Sequence, residues 1–335
     1  MYETAFHNQD INKISFLVTG GAGFIGSNII AYLTKHGAAK VRIFDNLSTG
    51  FKRNIEPFVC LPNVEFIRGD IRDAELCVQA CQGIDYVLHQ AALGSVPRSI
   101  KDPVATNQSN VDGFLNILVA AKETAVKRVV YASSSSVYGD SPVLPKTEDK
   151  IGIPLSPYAV SKYVNELYAN VFAKCYNLEI IGLRYFNVFG PNQSPQGAYA
   201  AAIPLFMSGL LNNVAPFIHG DGTQTRDFTF VENAVQANIK AVFTQNPNAL
   251  GNIFNIALGD RTSVNELFNI LKQISGSLLV PEYCDERPGD IKDSLADISK
   301  AKQLLDFAPQ VKIYEGLKIT FDWFKQNVQF FDGLV

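Results

Sequence analysis

The 335-residue chain predicts an α/β protein, a doubly wound parallel sheet followed by a smaller C-terminal α/β lobe that binds a substrate. Short β-branched runs alternate with amphipathic stretches through the first half, the strand runs are continuously apolar, and from Pro191 onward the pattern loosens into Pro-, Gly- and Asn-rich loops. Regular alternation implies parallel strands joined by helical crossovers. Continuous apolar runs in place of alternating ones imply helices on both faces of the sheet. The first domain is placed at residues 1–190 and the second lobe at 191–335, with some chain crossing between them.

In chain order, ISFLVTG reads as the first strand and FIGSNIIAYLTKHG as the helix after it. KVRIFDN, VEFIRGD and IDYVLHQAA follow as strands, FLNILVAAKETA as a long helix, and KRVVYASSS as the fifth strand. Beyond them, NQSPQGAYAAAIPLF and HGDGTQTRDFTF read as loops around short helices and strands. No repeat of roughly 20–50 residues and no low-complexity linker is present, so the lobes are expected to pack as one rigid unit around a cleft.

Composition excludes several functions. With 47% hydrophobic and 18% charged residues the chain reads as a globular protein with a sizeable core. A net charge of −3, with scattered Lys and Arg, leaves no electrostatic footprint for nucleic acid or an anionic membrane. No apolar run reaches the roughly 18 residues of a membrane span. The opening MYETAFHNQDINK lacks the cationic and apolar segments of a signal peptide, so a cytoplasmic location is expected. Cys77 and Cys81 have the spacing of two core-facing thiols on a helix, and the four histidines are far apart, so no catalytic metal is expected.

The first strand runs directly into TGGAGFIGSNI, which supplies Gly20, Gly23 and Gly26 at G-x-x-G-x-x-G spacing ahead of a helix. Such a turn lets backbone N–H groups and a helix N-terminus approach a pyrophosphate. The second strand ends in Asp45, nineteen residues after Gly26, where a carboxylate can accept the adenine ribose hydroxyls. A 2′-phosphate would meet that negative charge, so NAD is favoured over NADP. Arg42 within the strand and Lys52 beyond the next loop leave room for some NADP tolerance. Asp70 in GDIRD, and Gln90, Ala91 and Ala92 in HQAAL, close further strands and outline one crevice with the glycine turn.

LSPYAVSKY places Tyr158 and Lys162 one helical turn apart, a spacing that recurs at Tyr314 and Lys318 in YEGLK. The spacing alone does not choose between them.

TGGAGFIG, Asp45, GDI, HQAA, YASSSSVYG, SPYAVSK, LRYFNVFGP, RDFTFVENA and ERPGD together resemble the extended short-chain dehydrogenase/reductase superfamily and, within it, the nucleotide-sugar 4-epimerases. The resemblance runs from about Ile14 to Trp323, leaving the N-terminal extension outside. It implies a Rossmann-type sheet and a tightly held NAD contacted by Phe24, Ile25, Asn46, Ser48, Gly50, Ile71, Asn110, Tyr185 and Val188 as well as the residues above. It selects Tyr158 as general base and Lys162 as its electrostatic partner, because the family's pair lies on the helix after the fifth strand. Register counted back from VYG puts the catalytic serine at Ser134, with Ser135 beside it and Ser136 on the same edge. The implied cycle removes the C4 hydroxyl proton and C4 hydride, turns the keto sugar about its diphosphate link, and returns the hydride to the opposite face. Dehydratases and decarboxylases of the superfamily carry an acidic residue beside the serine, whereas this chain has only hydroxyls there.

For the nucleotide sugar, the resemblance implies Arg226, Arg287 and Asn187 at the diphosphate, Ala215 and Phe217 at the uracil, and Gly94, Ser95, Val96, Ala201, Ala202 and Asp290 around the ligand. Ser294 stands where a tyrosine confines relatives to glucose and galactose, and a small residue accompanies acceptance of a 2-acetamido group. LGSVPRS and NQSPQGAYAA resemble the subgroup preferring UDP-N-acetylglucosamine and UDP-N-acetylgalactosamine, with Gln196 replacing the asparagine that meets the acetyl group. Helices around Asn110–Lys122 and Ala159–Tyr176 pair with their copies in relatives, so a homodimer is expected.

Overall fold

The computed structural model describes residues 1–195, 202–285 and 292–327. The apolar runs form β1 (Ser15–Thr19), β2 (Lys40–Asp45), β3 (Val64–Arg68), β4 (Tyr86–His89), β5 (Arg128–Ser134) and β6 (Glu179–Tyr185). Shorter strands follow: β7 (Val188–Phe189), β8 (Phe217–His219), β9 (Thr225–Arg226), β10 (Thr229–Phe230), β11 (Ile253–Ile256), β12 (Thr262–Ser263) and β13 (Glu282–Cys284). The helices are α1 (Phe24–Lys35), α2 (Glu56–Val59), α3 (Ala74–Cys81), α4 (Val96–Lys101), α5 (Pro103–Asn107), α6 (Gly113–Glu123), α7 (Pro157–Tyr176), α8 (Ala202–Leu211), α9 (Val231–Phe243), α10 (Val264–Ser275), α11 (Ser299–Leu305) and α12 (Ile313–Gln326).

Seven strands pair in parallel in the order β3-β2-β1-β4-β5-β6-β11. The order reverses between β1 and β4, which opens a crevice at their carboxyl ends. On one face Ile29, Ile30 and Leu33 of α1 pack with Val235 and Ile239 of α9. On the other, Cys77 and Cys81 of α3 join Phe114, Ile117 and Leu118 of α6 and Phe172 of α7. Covering both faces explains why the inner strands are largely apolar, and burial pushes both thiols up to about 12, which leaves them unreactive. A third core of Phe206, Met207, Leu267, Phe268, Leu317, Phe321 and Phe324 joins α8, α10 and α12.

Helix α7 brings Tyr158 and Lys162 to the crevice. Ser156 caps it by accepting from the Ala159 N–H, Pro157 opens its first turn, and Asn177 closes it in the left-handed region at φ 55°. Tyr158 therefore sits in the first turn with Lys162 one turn below on the same side. Glu166 continues that line and binds Arg184 of β6 through two contacts of 2.8 and 2.7 Å, while the Ser133 hydroxyl donates to it at 2.6 Å. Both members of the pair are almost wholly buried, so α7 is fastened against the ends of β5 and β6.

Candidate active site

Glycine is required at two points of the turn after β1. Gly20 has φ +66°, and a Cβ there would lie 2.6 Å from the Ala91 nitrogen. A Cβ on Gly26 would lie 2.2 Å from the Gly20 carbonyl oxygen, so only glycine lets α1 approach the strand this closely. Gly23 is the N-cap of α1 and provides no side-chain cap, which leaves first-turn N–H groups facing the crevice.

Asp45 fixes the far end. Its carboxylate accepts from the Ala22 N–H at 3.0 Å and the Leu47 N–H at 2.7 Å; burial raises its pKa while these two bonds oppose the rise. Arg42 does not supply a cation for a 2′-phosphate, contrary to the tolerance its position suggested. Its guanidinium binds Glu65 at 2.9 Å and the carbonyls of Ala80 and Gln82 at 2.7 and 2.8 Å, well away from the crevice.

A cleft of about 540 Å³ connects the two ends. Gly20, Gly23, Phe24, Ile25, Gly26, Asp45, Asn46, Ser48 and Ile71 line its cofactor end; Gln90, Ala91, Ala92 and Gly94 line the middle; Ser134, Tyr158, Lys162, Tyr185, Asn187 and Val188 line the reacting end. A cradle closed to any Cβ, an uncapped helix N-terminus and a buried carboxylate at the ribose position fit NAD. Tyr314 is half-exposed on α12 and is not among the residues lining this cleft.

At the reacting end Ser134 and Tyr158 line the cleft together. Burial raises the phenol's pKa, and the nearby Ser134 hydroxyl lowers it in part. Lys162 donates to the Ala132 carbonyl at 2.8 Å; burial pushes its pKa down to about 8 against the opposing pull of Glu166. His89 lies beneath, 2.8 Å from the Thr19 hydroxyl, held neutral with a pKa of about 3 by burial and by the Lys162 charge.

Other expected residues support the site at one remove. Asp70 accepts from Arg72 and Asn46, which hold its pKa down to about 2 against burial, while its neighbours Gly69 and Ile71 line the cleft. Gly50 packs on Ala22 of the glycine turn. Asn110 accepts from Leu93 N–H at 2.7 Å and donates to the Ser161 hydroxyl at 3.0 Å, fixing the loop after β4 to α7. Ser95, at φ +113°, caps α4, and Val96 is exposed. Ser135 and Ser136 enter a 3₁₀ turn in which the Ser136 N–H donates to Ser134 Oγ at 3.2 Å, and neither lines the cleft.

On the substrate side, Asn187 adopts φ +35° and donates to the Asp227 carbonyl at 3.1 Å. The Ser294 N–H donates to the Thr225 carbonyl at 3.1 Å, which sets Ser294 beside Arg226 of β9. Ala202 opens α8, Ala215 is half-buried and Phe217 is 59% exposed; none of these three, nor Ser294 or Arg226, is on the described wall of the cleft. Gln196, Ala201, Arg287 and Asp290 lie outside the described residues. The sequence reading missed Phe44, Thr49, Leu93, Arg98, Ser109, Ala132, Ser133 and Gln193, all of which line the cleft. Of these, Leu93 and Arg98 fall in LGSVPRS, Ala132 and Ser133 in YASSSSVYG and Gln193 in NQSPQGAYAA, motifs that carried the resemblance without assigning these residues a role.

The fold and site define an NAD-dependent enzyme of the short-chain dehydrogenase/reductase kind. The chain belongs to the NAD dependent epimerase/dehydratase family, which matches residues 16–257. It is similar to the UDP-N-acetylglucosamine 4-epimerase of Methanobrevibacter ruminantium, solved with UDP-N-acetylmuramic acid, at 42% identity and TM-score 0.88 over 94% of this chain and 99% of that one. The UDP-glucuronic acid 4-epimerase of Bacillus cereus, solved with UDP-glucuronic acid and NAD, is 34% identical with TM-score 0.87 over 94% and 100% of the two chains. The UDP-glucose 4-epimerase of Mycolicibacterium smegmatis is 36% identical over 315 residues, covering 93% of this chain and 99% of the relative.

Proposed function

We propose that the protein is an NAD-dependent UDP-sugar 4-epimerase that interconverts UDP-N-acetylglucosamine and UDP-N-acetylgalactosamine. The observation that carries the reading is the meeting of Tyr158, Lys162 and Ser134 on one cleft wall, at a strand end bearing hydroxyls alone. Asp45, at the opposite end, is the one carboxylate among the described residues lining the cleft. The nearby carboxylate of Glu166 is neutralised by Arg184. Such a site can move a proton to and from a sugar hydroxyl but offers no second acid or base for elimination.

Bound NAD supplies a hydride acceptor and the positive charge of its ring. Tyr158 takes the C4 hydroxyl proton as phenolate, Ser134 orients that hydroxyl, and the Lys162 ammonium, anchored on the Ala132 carbonyl, stabilises the phenolate. After the 4-keto sugar has turned about its diphosphate, the Tyr158 hydroxyl returns the proton. Small Ser294, fastened beside Arg226, supports an acetylated sugar, because a bulky residue would narrow the space that sugar sweeps.

A UDP-hexuronate is the second reading. Arg98 favours it: it lines the cleft, no salt bridge to it is seen among the described residues, and a guanidinium suits a carboxylate. The test is incubation with each UDP sugar and no added cofactor, followed by anomeric-proton NMR. Conversion of UDP-glucose or UDP-glucuronate with none of UDP-N-acetylglucosamine overturns the acetylated assignment.

The working form is proposed to be a cytoplasmic homodimer. Val160, Leu167 and Val171 leave an exposed apolar stripe on α7, and all five cysteines are unpaired. Among the described residues no helix is long and apolar enough to cross a membrane.

A further inference from the structure

The N-terminal segment lies outside the family match, yet it is built into the molecule. Tyr2, Phe6 and Ile11 are 4%, 6% and 2% exposed, and Phe6 stacks on Tyr32 of α1 at 5.1 Å. The Tyr32 hydroxyl accepts from the Phe6 N–H at 2.7 Å. Tyr2 contacts two helices: its hydroxyl donates to Asn28 Oδ1 of α1 at 2.7 Å, and its N–H donates to Glu232 of α9 at 2.9 Å.

Asn28 has one arrangement open to it. Its Nδ2 donates to the Phe24 carbonyl at 2.9 Å and to the Pro191 carbonyl at 3.0 Å. Two carbonyls can only accept, so the amide oxygen must face the Tyr2 hydroxyl, which is the donor that completes the set. Asn28 is 3% exposed, and loss of that donor would leave a buried oxygen unsatisfied. Beyond Pro191, Asn192 donates to the Ser27 hydroxyl at 3.0 Å, and Gln193 lines the cleft.

We infer that the N-terminal arm is a positioning element of the active site, in which Tyr2 orients Asn28 and thereby holds the Pro191–Gln193 wall against the cofactor helix. Tyr2 touches no reacting atom. Its contribution is the position of the wall on the nucleotide-sugar side, while the glycine turn and Asp45 hold their geometry without it. The inference rests on the UDP-sugar reading above.

The test is Tyr2→Phe in the full chain, which removes one hydroxyl and keeps the ring. Three quantities are measured: NAD retained on purification, the Kd of UDP by calorimetry, and hydrogen exchange of the Gln193 N–H, which is bonded to the Gly190 carbonyl at 3.2 Å. The expected result is unchanged NAD content, UDP binding weakened about threefold to tenfold, and faster exchange at Gln193. Asn28→Asp, which keeps an acceptor for Tyr2 and deletes both amide donors, is expected to weaken UDP at least as much. Unchanged UDP affinity in both variants overturns the inference whatever happens to the melting temperature. Loss of NAD in parallel with UDP overturns it too, because the arm would then act on the whole of α1. Wild-type protein that binds no UDP defeats the nucleotide-sugar reading instead, so the two failures are distinct.

Discussion

Ser134 at the end of β5 and Tyr158 in the first turn of α7 line one cleft with Lys162, whereas Tyr314 lies outside it. Tyr158→Phe is expected to reduce epimerisation by about 10²-fold or more while NAD stays bound, because only the acid/base hydroxyl is removed. Tyr314→Phe, on an exposed part of α12, should leave the rate unchanged. Initial rates on UDP-N-acetylglucosamine for the two variants decide the matter. A larger loss from Tyr314→Phe would move the site elsewhere.

Asp45→Ala should weaken NAD far more than NADP. The carboxylate is held toward the crevice by Ala22 and Leu47, and Arg42 is engaged elsewhere, so removal of the acid deletes both a ribose acceptor and the charge that would repel a 2′-phosphate. The two dissociation constants, measured before and after the substitution, report this as a ratio. If the ratio stays where it was, Asp45 does not select the cofactor.

The cofactor end was legible because its requirements are local. A strand, a glycine turn and an acid at the next strand end sit within one unit of sequence, and steric demands at Gly20 and Gly26 admit no other residue. Tyr158 and Lys162 became legible only through family resemblance, since Tyr314 and Lys318 have the same spacing. Arg98 and Ser109 were hidden because their approach to the cleft depends on Asn110 pinning Leu93 across the chain. Arg42 misled for the opposite reason. Its partners Glu65, Ala80 and Gln82 are neighbours in space alone. The arm was invisible to composition, because MYETAFHNQDINK reads as polar while Tyr2, Phe6 and Ile11 bury themselves one by one.

Ser294→Tyr tests the sugar assignment. The residue is attached to Thr225 through its backbone, so the new phenol would project from a fixed point beside Arg226. Activity on the acetylated UDP sugars should fall sharply, with UDP-glucose and UDP-galactose spared or improved. Overpacking costs about 1–3 kcal/mol, which corresponds to roughly fivefold to 150-fold in rate. Steady-state rates on the four sugars give the answer, and equal losses on all of them would remove Ser294 from substrate choice.

Lys162 predicts a pH-dependent exchange between stability and activity in the ligand-free protein. Burial lowers its pKa from 10.5 to about 8, so the charged form is disfavoured in the folded state by roughly 3 kcal/mol. Below the folded value both states are protonated and the full penalty applies. Between about 8 and 10.5 the folded protein releases a proton that the unfolded chain still holds, so this residue's contribution to stability improves as pH rises, and the penalty is gone above 10.5. Lys162→Met keeps the length of the side chain and removes the charge; it also gives up the bond to the Ala132 carbonyl, worth about 1 kcal/mol. The variant should therefore be inactive yet more stable than wild type at pH 7 by up to about 2 kcal/mol, with the advantage shrinking and then reversing as pH approaches 10.5. Urea unfolding of both proteins at several pH values reads the effect, since titrating groups that do not sense Lys162 cancel in the difference and His89, which does, titrates far below the window of pH 8 to 10.5. A stability difference that does not change with pH would mean that Lys162 carries no such penalty.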